Sequence, residues 1–215
     1  MPGVGGVRIR RLDPTRASDR AAVLDICVKT GDAGADATGL HADPRVLTDR
    51  WAAPYVDLEP AWAWLATLPA PPVGAAPSTA AVPGDTAAEA SAVVDDEIVV
   101  GYVIGTPDTE SFAARFAAWP SSLSEAERAR HAELLRAPGL HDYPAHLHID
   151  ILPIAQARGV GRQLVQTFLD ALVAAGVPGV HLGVDPRNTA ALAFYPRLGF
   201  TQLPSPHAPL FTRPL

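Results

Sequence analysis

A strand that leads through a glycine-containing loop into a long amphipathic helix is the feature that most constrains this chain. The strand is predicted at 146–152, the loop contains Gly159 and Gly161, and the helix follows over 161–175. The helix has one apolar face, formed by Leu164, Val165, Phe168, Leu169, Leu172 and Val173. Glycines at a helix start leave backbone N–H groups uncovered, at the end where the helix dipole is positive. The segment therefore predicts either an anion-binding turn between a strand and a helix or simply a tight turn that the two glycines permit.

Hydrophobic periodicity predicts alternating strands and helices over the rest of the chain. Ser124 and Glu127 have the spacing of a capping box, and Pro120 is expected to break the helical region in which they lie. The other predicted elements are a strand at 7–12, a helix from 19 to Gly31, a short helix from Asp43-Pro44 to Trp51, strands at 62–67 and 98–104, two helical pieces in 108–136, a strand at 180–184, a helix at 188–198, and strands at 201–203 and 210–212. This order predicts a mixed α/β sheet with a parallel βαβ step in its second half.

The 215 residues are enough for one domain with a sizeable core, so a single domain over 1–215 is predicted. Within it, the segment 69–92 is rich in proline and alanine. Such a composition buries too little apolar surface to offset the entropy lost on ordering. We predict a mobile insertion in a strand-to-strand connection.

Composition excludes several functional classes. Hydrophobic residues make up 48% and charged residues 19% of the chain, and the formal net charge is −6, with Lys29 as the single lysine. A general nucleic-acid binder would need a basic surface, so no nucleic-acid partner is expected. Neither a signal peptide nor an apolar run of the ~20 residues needed to span a membrane is visible, which predicts a cytoplasmic protein without a membrane partner. The lone Cys27 excludes an internal disulfide and is expected to be buried in a helix.

A second motif follows the helix and indicates a family. It runs NTAALAFYPRLGF, with Asn188 as a helix cap, Phe194-Tyr195 inside, and Gly199 near the exit. Together with the Q-x-x-G-x-G loop at 156–161, this motif resembles the GNAT acetyltransferase superfamily. Most of the chain outside the insertion also resembles the acetyltransferase-like C-terminal domain of O-GlcNAcase and its free-standing bacterial relatives, on the stretches KTGDAGADATGL, APYVDLEP, VVGYVIGTPDT and HLHIDILP.

The resemblance implies a fold and an activity. The fold is the α/β GNAT fold, a mixed and mostly antiparallel sheet of about seven strands with flanking helices and one splayed parallel strand pair. The activity is transfer of an acetyl group from acetyl-CoA to a primary amine, by direct attack in a ternary complex. The acceptor is a small molecule or a peptide, no metal is expected, and a homodimer is left open.

The resemblance also implies the residues of the site. The N–H of Ile151 would face the thioester oxygen, and Tyr195 would protonate the departing CoA thiolate. The implied cofactor-binding residues are Ile149, Ile151, Gln156, Arg158, Gly159, Val160, Gly161, Arg162, Asn188 and Tyr195. Pro196 departs from the family pattern, because proline disfavours helical geometry at the residue before it and removes one N–H. We therefore expect a kink at Tyr195, with its hydroxyl displaced.

Asp150 is the first candidate for the general base that the attacking amine needs. It shares one strand face with His146 and His148, opposite Ile149 and Ile151, because side chains alternate along a strand. A structural carboxylate bonded to backbone amides is the alternative interpretation of Asp150. Glu59 and Asp36 are weaker candidates for the base.

Two other functions remain open. One is an acetyl-CoA-binding or interaction module without catalysis. The other is a metal-dependent hydrolase that uses His146, His148 and Asp150 as ligands, although the histidine expected directly after such a run is replaced by Ile151. The acceptor end would be built by residues 32–41, 51–64 and 108–143, which carry no recognisable specificity signature.

Overall fold

One sheet organises the computed structural model, which describes residues 6–70, 93–94, 97–136, 140–205 and 208–215. Within these residues, seven strands follow the order β1-β2-β4-β5-β6-β8-β7, and a short β3 lies beside β4. The strands are β1 (Arg8–Arg11), β2 (Ala63–Pro69), β3 (Val93–Val94), β4 (Glu97–Thr106), β5 (Ala145–Ile151), β6 (Gly179–Gly183), β7 (Thr201–Leu203) and β8 (Leu210–Pro214). In this described sheet β5 and β6 run parallel and the other neighbours antiparallel, which confirms the predicted fold class.

Helices cover both faces of the sheet. They are α1 (Ala17–Thr30), α2 (Arg45–Trp51), α3 (Ala53–Leu58), α4 (Thr109–Ala118), α5 (Glu125–Leu135), α6 (Val160–Ala174) and α7 (Thr189–Phe194). Side chains from α1, α3, α4 and α5 form one core with Leu65, Tyr102 and Ile104. The apolar side of α6 forms a second core on the other face, against Val103 and Leu147. Burial on one side of a sheet therefore confirms the predicted apolar face of α6, except at Val173, which is 57% exposed.

Gly31 follows the last turn of α1, as predicted, but for a different physical reason. Its φ is −74°, so it does not adopt the left-handed conformation that usually places glycine there. A Cβ at this position would lie 2.4 Å from Cδ2 of Leu47 and 2.8 Å from the carbonyl oxygen of Cys27. Close packing against α2 excludes a larger side chain. Cys27 is buried, as expected, and burial raises the pKa of its thiol above the ordinary value.

Proline and a capping box divide the helical regions much as predicted. Pro120 lies between α4 and α5, and Ser124 and Glu127 form the reciprocal capping box at the start of α5. The helix predicted at 188–198 is instead α7 followed by a 3₁₀ turn over Tyr195–Leu198. Tyr195 keeps right-handed helical angles (φ −64°, ψ −38°), so Pro196 tightens the helix at this point and does not force its neighbour out of helical geometry.

The predicted mobile insertion lies almost wholly outside the described residues, which resume at Val93 after residue 70. β2 and β4 on either side of it pair antiparallel, as a strand-to-strand connection requires. Its mobility and the single-domain boundaries stay predictions. None of the described helices is long and apolar enough to cross a membrane.

A wedge opens between the two parallel strands. β5 and β6 pair only at Ala145–Val180 and His146–His181, after which β6 stays with β8 and β5 continues alongside β4. At the far end of β5 the N–H of Leu152 donates to Val100 of β4 at 2.9 Å. Since hydrogen-bonding direction alternates along a strand, the main-chain groups of Ile149 and Ile151 point away from β4 and into the wedge.

Candidate active site

A cleft of about 500 Å³ occupies the wedge. Its walls come from three parts of the chain, namely the end of α1 with the following loop, β5 with the start of α6, and α7. The lining residues are Thr30, Ala33, Gly34, Ile149, Asp150, Ile151, Ala155, Gln156, Ala157, Gly159, Val160, Gly161, Arg162, Asn188, Ala190, Ala191, Phe194 and Tyr195. The structure thus brings together every predicted site residue except Arg158, which is exposed beside the loop and outside this wall.

The start of α6 presents free backbone donors to the cleft. The first intrahelical bond runs from the N–H of Gln163 to the carbonyl of Gly159 at 3.2 Å, so the N–H groups before Gln163 have no helical partner. Gly159 is the N-cap, with a φ of 77° and no side-chain cap. No atom lies within 4 Å of where its Cβ would be, which leaves open space over the donors. This turn can hold an anionic group such as a pyrophosphate.

Gly161 allows α6 to approach the wedge closely. A Cβ at this position would lie 3.1 Å from Cδ1 of Ile151 and 3.1 Å from Cζ of Phe194. These distances are shorter than ordinary van der Waals contacts, so a side chain here would displace the wall of the cleft. The glycine therefore contributes both an uncovered donor and the space that brings helix and strand together.

Gln156 holds the loop to the end of β5. Its side-chain Nε2 donates to the carbonyl oxygen of Ile151 at 2.9 Å. That carbonyl has a partner within the protein, while the N–H of the same residue points into the wedge. The sequence predicts that Gln156 binds the cofactor directly, and the structure adds this role in positioning the strand end.

Asp150 lies in the cleft wall, on the face of β5 opposite Ile149 and Ile151. Tyr102, its direct partner on β4, donates a hydroxyl hydrogen bond to its carboxylate. Burial raises the pKa of Asp150 to about 6, against the lowering effect of the hydrogen bond from Tyr102. A carboxylate with a pKa near neutrality can both accept and release a proton at physiological pH.

Tyr195 is buried in the second core and also lines the cleft. Its ring contacts those of Phe194, Phe200 and Phe211 at centroid distances of 5.3, 5.5 and 5.6 Å, and it is 6% exposed. Burial, and then the nearby charge of Asp150, raises the pKa of the phenol above its ordinary value. The phenol therefore stays protonated throughout the neutral range and can act as a donor.

Asn188 joins two loops at the mouth of the cleft. Its Oδ1 accepts from the N–H of Ala191 at 3.0 Å, which confirms its role as a helix cap. Its side chain also lies against Gly34, where a Cβ would be 3.3 Å from Nδ2. The adjacent ion pair of Arg187 with Asp32, at 2.7 Å, fastens the loop after α1 to the loop before α7.

The histidines of β5 belong to a hydrogen-bond network within the protein. Tyr55 bonds through its hydroxyl to Nε2 of His146 at 2.8 Å and to Nε2 of His148 at 3.0 Å. The carboxylate of Asp150 is bonded to Tyr102. Across the described parts of the chain, no group of three or more His, Cys, Asp and Glu side chains is placed to hold a metal ion. The metal-hydrolase hypothesis therefore gains no support.

The two weaker base candidates lie elsewhere. Glu59 pairs with Arg115 and accepts from Thr106 at 2.9 Å, and Asp36 is exposed and accepts from the N–H of Thr38 at 2.7 Å. Neither lines the cleft. Sequence reasoning overlooked three residues of the site, Thr30 and Gly34 in the wall and Tyr102 bonded to Asp150. Thr30 and Gly34 lie in KTGDAGADATGL and Tyr102 in VVGYVIGTPDT, so the family resemblance marked their segments without giving their roles.

Comparison with known proteins identifies the family. The chain matches the Acetyltransferase (GNAT) family over residues 58–200. It belongs to this family. Its fold resembles the crystal structure of SsHAT with a TM-score of 0.73 and 36% sequence identity, over 97% of this chain and 98% of that one. Membership confirms the prediction of an acetyltransferase with acetyl-CoA as co-substrate.

More distant relatives agree with this family. The structure of yncA from Salmonella typhimurium with its cofactor acetyl-CoA has the same fold, with a TM-score of 0.53 and 14% identity over 98% of this chain and 95% of that one. The mycothiol acetyltransferase of Streptomyces griseus is 43% identical over 53 residues, which are 25% of this chain and 17% of that protein. The enzyme of the same name from Renibacterium salmoninarum is 36% identical over 67 residues, 31% of this chain and 20% of that protein. The match therefore spans a fifth or less of these curated relatives.

Proposed function

We propose that this GNAT enzyme transfers the acetyl group of acetyl-CoA to a primary amine of a small-molecule or peptide acceptor, by direct attack in a ternary complex. One observation carries the proposal. A main-chain donor, a neutral phenol and a carboxylate with a pKa near 6 (Ile151, Tyr195 and Asp150) meet in one cleft, beside the open N-terminus of α6. These are the groups that amine acylation by a thioester requires.

We infer that the co-substrate lies along the length of the cleft. The N–H groups of residues 159–161 would hold the pyrophosphate, with Arg162 in the wall to add a charge-assisted contact. The main-chain groups of Ile149 and Ile151 would hold the pantetheine arm by hydrogen bonds like those of a sheet. Acetyl-CoA supplies the activated acyl group as a thioester.

Each of the three central groups has a separate task. Asp150 removes a proton from the attacking ammonium. The N–H of Ile151 donates to the oxygen that gains negative charge, a contribution of about 3 kcal/mol in comparable oxyanion sites. Tyr195 donates its phenolic proton to the sulfur that leaves. As the tetrahedral intermediate collapses, its nitrogen loses a second proton to solvent. Solvent also reprotonates Tyr195 and takes the proton from Asp150, so each turnover releases one proton.

A thiol-release assay over a panel of amines tests the proposal. Tyr195→Phe should lower kcat about 100-fold, as loss of a positioned acid does, with little change in the affinity for acetyl-CoA. Tyr143→Phe is the matched control, because Tyr143 lies outside the cleft wall, and it should behave like the wild type. Equal kcat in the Tyr195→Phe and wild-type enzymes would contradict the assigned role.

The same assay distinguishes a module without catalysis. The burial of Tyr195 among aromatic rings and the 3₁₀ turn at Pro196 are the observations that favour this second candidate. It predicts that acetyl-CoA binds while no amine in the panel is acetylated. Failure to bind acetyl-CoA would exclude both candidates.

A further inference from the structure

The end of α1 lies over the pair formed by Tyr102 and Asp150. Cys27 and Thr30 are three residues apart and therefore share one face of α1, which packs on β4 and β5. Both are buried, with Cys27 hydrogen-bonded to Tyr102 and Thr30 hydrogen-bonded to Asp150. The helix thus places one hydrogen-bonding side chain over each member of the strand pair.

Thr30 and Asp150 lie at a boundary between two spaces. A cavity of about 230 Å³, which we call the side cavity, adjoins the cofactor cleft, and both residues lie in the walls of both. Ile149 and Ile151, which we assign to the cofactor, line the cleft but not the side cavity. The carboxylate of Asp150 can therefore be reached from a space that the proposed cofactor contacts do not occupy.

The bond between Tyr102 and Asp150 has a fixed direction. Tyr102 has one proton and donates it to Oδ2 of Asp150. In the bond between Cys27 and Tyr102 the thiol must then be the donor. Burial raises the pKa of the thiol and that of the Tyr102 phenol, so both groups keep their protons at neutral pH. Tyr102 consequently donates to the carboxyl group whether that group is charged or protonated.

The hydroxyl of Thr30, by contrast, has two acceptors for one proton. Its Oγ1 lies 2.7 Å from the carbonyl oxygen of Ile26, one turn earlier in α1, and it also bonds to Asp150. A charged carboxylate can only accept, so Thr30 must donate to it, in a bond of the stronger, charge-assisted kind. A protonated carboxyl can donate, so Thr30 can accept from it while its own proton turns to Ile26. Rotation of one hydroxyl therefore gives Asp150 a partner in both of its states.

We propose that Thr30 is a positioning residue for Asp150, whose hydroxyl orients the carboxylate toward the amine and rotates as the carboxylate gains and loses its proton. This inference rests on the proposed function, in which Asp150 is the base. As the attacking ammonium loses a proton, an N–H bond breaks and an O–H bond forms on Asp150. The hydroxyl of Thr30 then turns to the carbonyl of Ile26, and it turns back when solvent takes the proton.

The other described titratable groups that face this carboxylate, from α1, β4, β5, the loop before α7 and the 3₁₀ turn after it, keep one protonation state between about pH 5 and 8. They are Cys27, Tyr102, His148, Asp185 and Tyr195. Burial raises the pKa of the thiol and of both phenols and lowers that of the imidazole to about 3. The hydrogen bond from Arg187 lowers the pKa of Asp185. In this range a shifted pH–rate profile therefore reports on Asp150.

Removal of the hydroxyl tests the proposal through the pH dependence of kcat/KM in the thiol-release assay. Thr30→Val keeps the shape of the side chain but removes a donor to the charged carboxylate, so the pKa of Asp150 should rise by about one unit. The acid limb should move to higher pH by the same amount, with a loss of about tenfold near pH 5 and a smaller loss at alkaline pH. Thr30→Ser keeps a hydroxyl and should restore the limb. A limb that stays in place in a folded Thr30→Val protein would refute the role of Thr30.

Thr48→Val is the matched control. Thr48 and Thr30 are both 5% exposed, and the hydroxyl of Thr48 also bonds to a helix carbonyl, that of Arg45 at 3.3 Å. Thr48 lies in neither wall, so its replacement should leave the limb in place. Equal shifts in Thr48→Val and Thr30→Val would overturn the proposal. If Thr30→Val folds poorly by circular dichroism, Thr30→Ala removes the same hydroxyl without a methyl group in its place.

A titration without turnover separates this inference from the proposed function. Carboxyl NMR of protein with isotope-labelled aspartate measures the pKa of Asp150, and Asp150→Asn identifies its signal. A pKa that rises by about one unit in Thr30→Val, while the wild type acetylates no amine, would support the positioning role and refute acetyl transfer. An active wild type whose Asp150 has the same pKa in Thr30→Val would support transfer and refute the positioning role.

Discussion

The hydroxyl of Tyr102 donates a hydrogen bond to the carboxylate of Asp150, and the two residues are direct partners across β4 and β5. The bond holds the carboxylate at the edge of the cofactor cleft and stabilises its charged form. Burial acts in the opposite sense and dominates, so the pKa of Asp150 lies at about 6. The balance between burial and the hydrogen bonds from Tyr102 and Thr30 sets the pH at which the proposed base becomes available.

We predict that Tyr102→Phe moves the acid limb of the pH–rate profile to higher pH. Without the hydrogen bond the charged carboxylate is less stable, so the pKa of Asp150 rises further, by about one unit for a hydrogen bond of ordinary strength. The pH dependence of kcat/KM measures the shift. Tyr143→Phe should leave the limb in place, and a limb that moves to lower pH would contradict the assignment.

Asp150→Asn should stabilise the fold at pH 7.5 while it abolishes most of the activity. The carboxyl has a folded-state pKa of about 6 against an ordinary 3.8, so the folded protein binds more protons than the unfolded chain between these values. Stability contributed by this group consequently falls as pH rises through that window and stays low above it. Replacement by a neutral amide removes the penalty, with a gain of about 1–3 kcal/mol at pH 7.5 that vanishes below pH 4.

Urea denaturation of both proteins at pH 7.5 and pH 4 measures this gain. If Asp150 is a structural carboxylate, held by the side-chain bond from Tyr102 and not by backbone amides, Asp150→Asn should instead lower the free energy of unfolding, most clearly at pH 7.5. The sign of the change therefore distinguishes the two interpretations of Asp150.

Gly159→Asp should weaken acetyl-CoA binding at least tenfold without loss of the fold. The new carboxylate would lie over the free donors of α6 and compete with the pyrophosphate for the positive end of the helix. Gly176→Asp is the matched control at the other end of the helix, since both glycines have positive φ (77° and 72°) and no atom within 4 Å of where a Cβ would lie. Equal affinity of the two variants for acetyl-CoA, measured by calorimetry, would refute the proposed anion-binding site at the start of α6.

Asp19→Asn should lower the free energy of unfolding by about 3 kcal/mol, because one partner of a buried ion pair is lost. The Asp19 carboxylate is fully buried, with bonds of 2.6 and 2.7 Å from Arg10 and 2.9 Å from the N–H of Asp13. Asp43→Asn, in an exposed pair with Arg45, should cost far less, because solvent screens such a pair. Chemical denaturation compares the two, and similar losses would show that burial does not govern this pair.

The features that the sequence predicted correctly are those that a local pattern of residues determines. The loop at 156–161, α6 and the cap at Asn188 follow from glycine placement, helical periodicity and a capping side chain, which act within a few residues. The pairing of Tyr102 with Asp150 depends on the register of two strands 48 residues apart, and no local pattern reports it. The roles of Thr30 and Gly34 depend likewise on long-range packing.

Two local rules are only partly followed by the structure. The rule for glycine predicts the position of Gly31 correctly but for a different physical reason, and the rule for proline predicts a distortion at Tyr195 that does not occur. A glycine stands after α1 because Leu47 and the carbonyl oxygen of Cys27 crowd the position of a Cβ at Gly31, a condition that only the packed structure reveals. Pro196 is expected to disturb Tyr195, but the chain continues as a 3₁₀ turn in which the ring of Tyr195 is fixed by Phe200 and Phe211. Tertiary packing outweighs the local preference in both places.

The separation of β5 from β6 after His146 has a consequence for how this site tolerates change. Ile149 and the N–H of Ile151 form a strand edge without a sheet partner, and an arm with amide groups can pair with that edge as an added strand would. The carbonyl of Ile151 already accepts a hydrogen bond from Gln156. Recognition through the main chain does not depend on which side chains these residues carry, provided they still pack against α6. The proposed cofactor contacts should therefore survive replacement of both isoleucines by other apolar residues.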